Sequence, residues 1–341
     1  MKLMTTLKFS RRLRPLLLAL VFFIGMTGRA FASGGGEGEK FNAGELALHH
    51  VMDAYEWHLF DGHYGSFYLP IVVYTDDQGL QVFSSSKFYQ NHELVPYNGL
   101  ELSGHGVVAT DHGVKVWDFS ITKNVASAIM SLIVLVLIFT AVASGYKKNA
   151  GKAPKGIQSF FEPLILFVRD DIARTMIGHH YERFVPYLLT MFFYILANNL
   201  MGLMPGAANV TGNIAVTLVL ALFTFFVTNF SGNKHYWGHI FWTPGVPLPL
   251  RVIMIPIEVI GIFTKPFALM VRLFANITAG HIVILSIISL IFLFKSIYVS
   301  PASVALGVAM NFLELMVAFI QAYVFTLLSA IYIGGAVAED H

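Results

Sequence analysis

A single arginine, Arg272, stands at the start of a long stretch of sequence without formal charge. No Asp, Glu, Lys or Arg follows it until Lys295. A guanidinium inside a bilayer costs at least ~2.5–3.5 kcal/mol, and unlike a lysine it does not escape that cost by losing its proton. The sequence therefore predicts a fixed positive charge at membrane depth, where charged side chains generally serve a function.

A second set of polar residues lies near the C-terminus. Asn311, Glu314, Ala318 and Gln321 follow one another at intervals that place them on one face of a helix. Glu314 is the only acidic residue between Glu258 and Glu339. A lone carboxyl group in a long apolar helix predicts a functional rather than a structural role.

The polar residues near Arg272 and those near Glu314 would meet if their two helices formed an antiparallel hairpin. In such a hairpin, the residue numbers of any two residues at the same level add up to the same value. Arg272 and Gln321 sum to 593, and His281 and Glu314 to 595, which centres the turn close to Ser300-Pro301. The two levels would lie about 10–13 Å apart along the helices. A His/Glu pair exchanges protons near neutral pH when burial and pairing bring the two pKa values together, whereas an arginine keeps its proton. The pattern predicts a proton path that ends at a fixed cation.

The composition places these residues in a polytopic membrane protein. Of 341 residues, 56% are hydrophobic and only 12% are charged, whereas soluble proteins carry about 25% charged residues. The net charge of +2 gives no reason to expect a nucleic-acid partner. The absence of cysteine excludes disulfides, thiol catalysis and cysteine-ligated zinc.

The first 32 residues are predicted to be a signal peptide. Five basic residues precede the apolar stretch Leu16–Met26, and Ala30-Phe31-Ala32 offers a cleavage site. An uncleaved anchor is the alternative, and in both cases the following segment starts outside the cytoplasm.

Residues 33–119 are predicted to form a small, partly β extracytoplasmic module. Strands at Tyr68–Tyr74 and Leu80–Phe83 flank one turn, and strands at Val107–Ala109 and Val114–Trp117 flank another. Seven of the 13 histidines lie in this module, and we interpret them as surface residues in preference to a proton-collecting or metal-binding set. They are His49, His50, His58, His63, His92, His105 and His112.

Residues 120–341 are predicted to be an all-α membrane domain with about five transmembrane helices. The expected spans are Asn124–Tyr146, two within Phe184–Asn233, and a long, tilted C-terminal hairpin of Leu250–Ile297 and Ala302–Ile333. Lysines directly after the first span predict a cytoplasmic loop, an external N-terminus and a cytoplasmic C-terminus. The amphipathic segment Gln158–Ile177 is expected to lie along the cytoplasmic surface. Pro256 and Pro266 are expected to interrupt or bend the first hairpin helix.

Two motifs resemble a known family. Met270–Asn276, preceded by Lys265-Pro266, resembles the signature of subunit a of F-type ATP synthases. Asn199–Pro205 resembles the Asn-Leu-x-Gly-x-x-Pro turn of that family, and Gln321 stands where its final-helix glutamine is expected. The resemblance covers residues 121–333. It implies the stator of the Fo proton channel, with two half-channels, set against a rotating c-ring whose subunits each carry one carboxylate.

The resemblance also implies roles for single residues. Arg272 would force deprotonation of the ring carboxylate and block a direct leak, with Asn276 and Gln321 as its polar neighbours. His281, Glu314 and Asn311 would line the inlet half-channel. This subunit would be non-catalytic, with no nucleotide site and no cofactor, and its partners would be the c-ring, the peripheral-stalk b subunits, the rest of the F-type ATP synthase and the lipid bilayer. The expected location is a bacterial inner membrane.

Two features depart from the family pattern. Met270 stands where a small residue is usual, which predicts altered packing against the ring. The extracytoplasmic module is longer than in many members, and the sequence assigns it no role. H⁺ and Na⁺ both remain open as the coupling ion.

Two other functions are weighed against this one. A haem protein needs paired histidines inside spans, and only His281 lies well inside one. A secondary transporter is expected to show inverted repeats, and none is visible. Gly145–Lys152 resembles a P-loop only superficially, since five residues separate its glycines and Ala153 replaces Ser/Thr.

Overall fold

The computed structural model describes residues 53–58, 66–90, 93–103, 106–111, 113–149, 151–204, 208–242, 247–294 and 300–338. Two compact units are present: the first contains Glu56–Asp118, and the second contains Phe119–Leu203 and Ala208–His341. The predicted signal peptide and six of the seven histidines of the module lie outside the described residues. The remaining one, His58, lies in the first strand.

The first unit consists of short antiparallel strands. They are β1 (Glu56–His58), β2 (Ser66–Tyr68), β3 (Pro70–Thr75), β4 (Gly79–Ser84), β5 (Tyr89–Gln90), β6 (Glu93–Leu94), β7 (Leu100–Ser103), β8 (Gly106–Ala109) and β9 (Val116–Asp118). The largest sheet has the order β4-β3-β9. Its β3–β4 hairpin closes with Thr75 opposite Gly79, whose φ of 72° suits a glycine, and it confirms the first predicted hairpin.

The second predicted hairpin was wrong. The strand around Val107 pairs with β7, and the strand around Trp117 pairs with β3, not with each other. This arrangement makes β3 a central strand with partners on both sides, so its polar backbone groups are satisfied and its inner residues Ile71 and Val73 are fully buried. A turn with suitable residues does not by itself decide which strand its neighbours join.

The second unit is helical. Its α-helices are α1 (Lys123–Lys148), α2 (Ile157–Leu166), α3 (Thr175–Ile177), α4 (Tyr181–Gly202), α5 (Ile214–Ser231), α6 (Lys234–Phe241), α7 (Leu248–Phe294) and α8 (Ser300–Val337). Among the described residues, five candidate spans are long and apolar enough to cross a membrane, as the sequence predicted. The fold is therefore that of an all-α polytopic membrane protein with a small β-containing N-terminal region.

The segment between α1 and α4 is helical, as its amphipathic pattern predicted. A π-helical stretch, Phe167–Arg174, joins α2 to α3. Val168 and Ile172 on its inner side are buried, while Arg169 and Asp170 on its outer side form an exposed ion pair of 2.7 Å. The position of this segment along the cytoplasmic surface stays a prediction.

The C-terminal hairpin consists of α7 and α8. The helix α7 continues through Pro256 and Pro266, so neither proline interrupts it. Ser300 and Pro301 do not form the connecting turn, which was predicted there, but begin α8. Proline fits the first turn of a helix because the N–H that it lacks has no partner there.

The core of the helical unit centres on α4. Buried side chains from α4, α7 and α8 pack together, among them Phe192, Leu273 and Phe325. Where α8 passes the end of α3, no side chain fits between them: a Cβ on Gly334 would collide with the carbonyl oxygen of Met176.

Replacing Gly334 with alanine is therefore expected to destabilise the helical unit, because the backbone of Met176 cannot move aside as a flexible side chain would. Gly335→Ala is the matched control, since nothing lies within 4 Å of the Cβ position there. The control should be neutral or stabilise by up to about 1 kcal/mol through helix propensity. Thermal unfolding of the purified protein measures both changes. Equal midpoints for the two variants would contradict the close contact.

Candidate functional site

The hairpin has nearly the register expected from its polar residues. Asn276 Nδ2 donates a hydrogen bond of 2.8 Å to Gln321 Oε1, and Gly280 faces the carboxyl group of Glu314. The numbers of these pairs sum to 597 and 594, against the expected 593–595. The polar groups of the two helices are therefore brought to the same levels.

Arg272 lies on the exposed face of α7, one helical turn before Asn276. Within the part of the chain that the structure describes, it forms no hydrogen bond or ion pair. Its neighbours on this face are the small, exposed residues Ala268, Ala275 and Ala279. The guanidinium is thus presented outward by a surface that another helix can approach closely.

Glu314, unlike Arg272, points into the interface between α7 and α8. It is only 5% exposed, and its carboxyl group packs directly against the backbone of Gly280, where any Cβ would collide with Oε1. Oε1 is buried and has no hydrogen-bond partner among the described residues. A buried polar atom without a protein partner generally bonds to an ordered water; otherwise its desolvation destabilises the fold by about 1–3 kcal/mol.

His281 follows Gly280 directly but faces another part of the bundle. Its Nε2 is 3.9 Å from the position that a Cβ on Gly202 would occupy, and Asn209 Oδ1 is 4.0 Å from the same position. His281 and Glu314 therefore lie at one level of the hairpin, as predicted, while the imidazole faces the end of α4. One turn before Glu314, Asn311 Nδ2 bonds to the carbonyl oxygen of Gly307 within its own helix.

Asn199 ties three elements together. Its Nδ2 donates to the carbonyl oxygen of Ala318 at 3.2 Å, and its Oδ1 accepts from Thr211 Oγ1 at 2.7 Å. All three residues are buried. The side chain thus connects α4 to α8 and to the 3₁₀ turn Val210–Gly212. Its contact on α8, Ala318, lies one helical turn after Glu314.

Replacing Asn199 with alanine is expected to destabilise the protein by about 1–3 kcal/mol, because the Thr211 hydroxyl loses its acceptor in a dry environment. A double-mutant cycle with Thr211→Val measures the coupling between the two side chains. The double variant should be less destabilised than the sum of the single variants. Strict additivity would show that the hydrogen bond contributes nothing.

A second polar network was missed by the sequence analysis. Tyr187 Oη lies 2.7 Å from Thr224 Oγ1, which in turn lies 3.1 Å from Ser329 Oγ. A small cavity continues from Thr224, bordered also by Lys265 and Tyr332. The signal was present in α5, where Thr217, Thr224 and Thr228 follow at seven and four residues and share one face.

Met270 does not face outward. It is 6% exposed and belongs to the core formed with α4 and α8. The expectation that it alters the packing against a ring stays a prediction, which a buried Met270 could meet only through its neighbours. Its side chain fills the interior of this chain, on the side of α7 opposite Arg272 and Ala268.

Histidine and carboxylate groups do not gather elsewhere in the described residues. No cluster of three or more His, Asp or Glu side chains there could hold a metal ion.

Comparison with known proteins gives two family matches. The family described as "ATP synthase A chain" matches residues 127–334. The N-terminal unit matches a second family, described as "Domain of unknown function (DUF8433)", over residues 46–126. The first match covers more than half of the chain and includes every residue of the polar site above.

Individual relatives agree with the first match. "ATP synthase subunit a" of Chloroherpeton thalassium is 51% identical over 73% of this chain and 77% of its own length. "ATP synthase subunit a 2" of Chlorobaculum tepidum is 48% identical over 73% of this chain and 72% of its own. "ATP synthase subunit a 2" of Prosthecochloris aestuarii is 39% identical over 95% of this chain and 92% of its own, so the similarity extends through the N-terminal unit.

Proposed function

Because this chain belongs to the ATP synthase A chain family, as a subunit a of the Fo sector, we propose that it provides two proton half-channels and places Arg272 against the carboxylates of a rotating c-ring. As a subunit a it is a multi-pass membrane protein of the proton channel, and it acts in ATP synthesis within a complex of Fo and F1 subunits. The finer assignments below are our proposal.

The observation that carries the proposal is the exposure of Arg272 on a membrane-spanning helix. A guanidinium that faced lipid would be strongly destabilised, so this face requires an anionic partner. The carboxyl groups of the ring subunits would meet that requirement one after another. Each would reach Arg272 as the ring turns, lose its proton beside the guanidinium and be carried away by the next step of rotation. The guanidinium keeps its charge throughout and repels a hydrated proton that would cross directly.

The surroundings of Arg272 support a ring helix as the covering surface. Ala268, Ala275 and Ala279 are exposed and small, so a facing helix can approach until backbones nearly touch. A close approach excludes water and strengthens the attraction between guanidinium and carboxylate. The Asn276–Gln321 pair beside Arg272 offers amide groups that can bond a carboxyl group in either protonation state.

The inlet half-channel is proposed to run along the buried polar residues near Glu314. His281 and Asn209 border the end of α4, and Glu314 lies at the same level of the hairpin. Along this route, three buried side-chain atoms have no hydrogen-bond partner among the described residues: Asn209 Nδ2, Glu314 Oε1 and Gln321 Nε2. Such atoms are the expected partners of ordered water, which would relay protons towards the ring.

The outlet half-channel is proposed to use the second network. Tyr187, Thr224 and Ser329 form a continuous series of hydroxyl groups between α4, α5 and α8. Lys265 lies seven residues before Arg272 on α7 and borders the cavity that continues this series. The two routes therefore approach Arg272 from opposite directions along the hairpin, which keeps them separate.

The remaining assignments follow from the same premise. We place the chain in a bacterial inner membrane with an external N-terminus and a cytoplasmic C-terminus, because lysines follow α1 directly. Residues 1–32 would be the signal peptide, 33–119 the extracytoplasmic module and 120–341 the proton-translocating domain. The peripheral-stalk b subunits would contact it as well.

Cross-linking in the assembled complex tests the ring-facing surface. The chain has no cysteine, so Ala275→Cys introduces a single reactive group beside Arg272. With a cysteine on the ring helix at the depth of its carboxylate, Ala275→Cys should form a disulfide-linked product with the ring subunit. Leu137→Cys is the control: Leu137 lies on α1 with a 63% exposed side chain, and its cysteine should form no such product. A product with Leu137→Cys alone would place the ring elsewhere.

A further inference from the structure

The N-terminal unit carries an apolar surface that its own core does not use. We define the outer sheet face as Tyr74, Leu80, Val82 and Trp117, which point to the same side of the sheet β4-β3-β9. Leu80 and Val82 are 65% and 64% exposed, and Tyr74 and Trp117 are each 44% exposed. The solvated face of an antiparallel sheet is normally polar, so this face departs from the usual pattern.

The four side chains form one patch. Tyr74 lies directly opposite both Leu80 and Trp117 in the strand register, and the rings of Tyr74 and Trp117 are 5.7 Å apart. Val82 lies two pairs further along the same hairpin, opposite Val72, and so on the same face of the sheet. The other side of the sheet packs against the core of the unit through Ile71 and Val73. A contiguous apolar patch of this kind marks an interaction surface.

The chain itself indicates what this surface meets. Only Phe119–Thr122 separate β9 from α1, which is a candidate membrane span. Since an extended chain advances at most ~3.6 Å per residue, the connection from Trp117 to Lys123 spans at most about 22 Å. Phe119, in the connection, is itself 68% exposed. Trp117, on the edge strand of the sheet, is thus joined to a candidate membrane span by a short connection.

The chemistry of the outer sheet face fits the bilayer surface. Tryptophan and tyrosine are enriched at the boundary between lipid and water, where the ring is buried and the polar group stays hydrated. Leu80 and Val82 add apolar area that would enter the acyl boundary. No charged residue lies among the four, so the attachment would depend on apolar burial and only weakly on salt.

We propose that the outer sheet face rests in the headgroup layer of the bilayer, so that the N-terminal unit contacts the membrane surface. This inference does not depend on the proton path, because it concerns only the N-terminal unit and the start of α1.

Spin labelling tests the proposal in the assembled complex. The chain has no cysteine, so Val82→Cys and Leu80→Cys each accept one nitroxide, with any cysteines of the other subunits removed. Asp76→Cys, on the exposed turn of the same hairpin, is the water reference. Leu137→Cys on α1 is the lipid reference. The complex is placed in vesicles of phosphatidylcholine and phosphatidylglycerol, and collision rates are measured with oxygen, which dissolves in lipid, and with a water-soluble nickel chelate.

We expect oxygen collisions to exceed nickel collisions at residues 80 and 82, as at Leu137, and the order to reverse at Asp76. A predominance of nickel collisions at residues 80 and 82 would overturn the proposal, since the face would then be open to water. Low rates with both reagents would also overturn it, because they would show that a protein surface covers the patch.

Discussion

Replacing Arg272 with alanine is expected to abolish proton-driven ATP synthesis in membrane vesicles while the complex still assembles. Arg272 is exposed and contributes no hydrogen bond within the described chain, so its loss should leave the fold intact. Removing a preorganised charge from a reacting centre typically costs at least about 100-fold in rate. Passive proton leak should rise at the same time, because the fixed cation no longer separates the two half-channels.

Two control variants sharpen this test. Arg272→Lys keeps a positive charge but loses the planar guanidinium, so it should retain the barrier to leak better than it retains synthesis. Arg169→Ala removes an exposed arginine that pairs with Asp170 on the outer side of the π-helical stretch, and synthesis should stay normal. Normal synthesis in the Arg272→Ala complex would refute the stator mechanism and favour a transporter instead.

Replacing Glu314 with glutamine is expected to lower the proton flux while leaving stability unchanged or improved. Glutamine has nearly the same shape but cannot release a proton, and losing an acid–base group of this kind costs on the order of 100-fold in rate. The carboxyl group has no partner among the described residues, so its burial is unfavourable and a neutral amide should relieve that cost. Flux in vesicles and thermal unfolding measure the two effects separately.

Matched variants distinguish a proton-carrying role from a packing role. Ser303→Ala changes another buried polar residue of α8 outside the proposed route and should leave the flux normal. Gly280→Ala should displace the Glu314 carboxyl group, whereas Gly261→Ala on the same helix meets nothing within 4 Å. Equal flux in wild type, Glu314→Gln and Gly280→Ala would show that Glu314 carries no protons.

The hairpin was the most predictable part of this molecule. Setting Arg272 level with Gln321 and His281 level with Glu314 gave nearly the observed register, because the polar residues recur at matching distances on the two apolar helices. The five spans followed in the same way from apolar length. Both inferences depend on strong, local energetic constraints that a single sequence displays.

The remaining features depend on packing between distant segments. The pairing of β9 with β3 reflects the core around Ile71, which no turn motif near Trp117 reveals. The direction of the Glu314 side chain depends on the absence of a side chain at Gly280, a contact visible only in three dimensions. The Thr224 network needed the relative positions of three helices before its hydroxyl groups could be recognised as a series.

The hydrogen bonds around Arg272 have a mechanical consequence. A turning rotor exerts torque on the stationary side through the residue it passes, and Arg272 would receive that sideways load. One turn away, Asn276 would transfer the load through its hydrogen bond to Gln321 on α8. One turn further along α8, Ala318 is held by Asn199 of α4. These bonds join α7 to α8 and α8 to α4 close to Arg272, so in the proposed mechanism they would resist sliding of the three helices under that load.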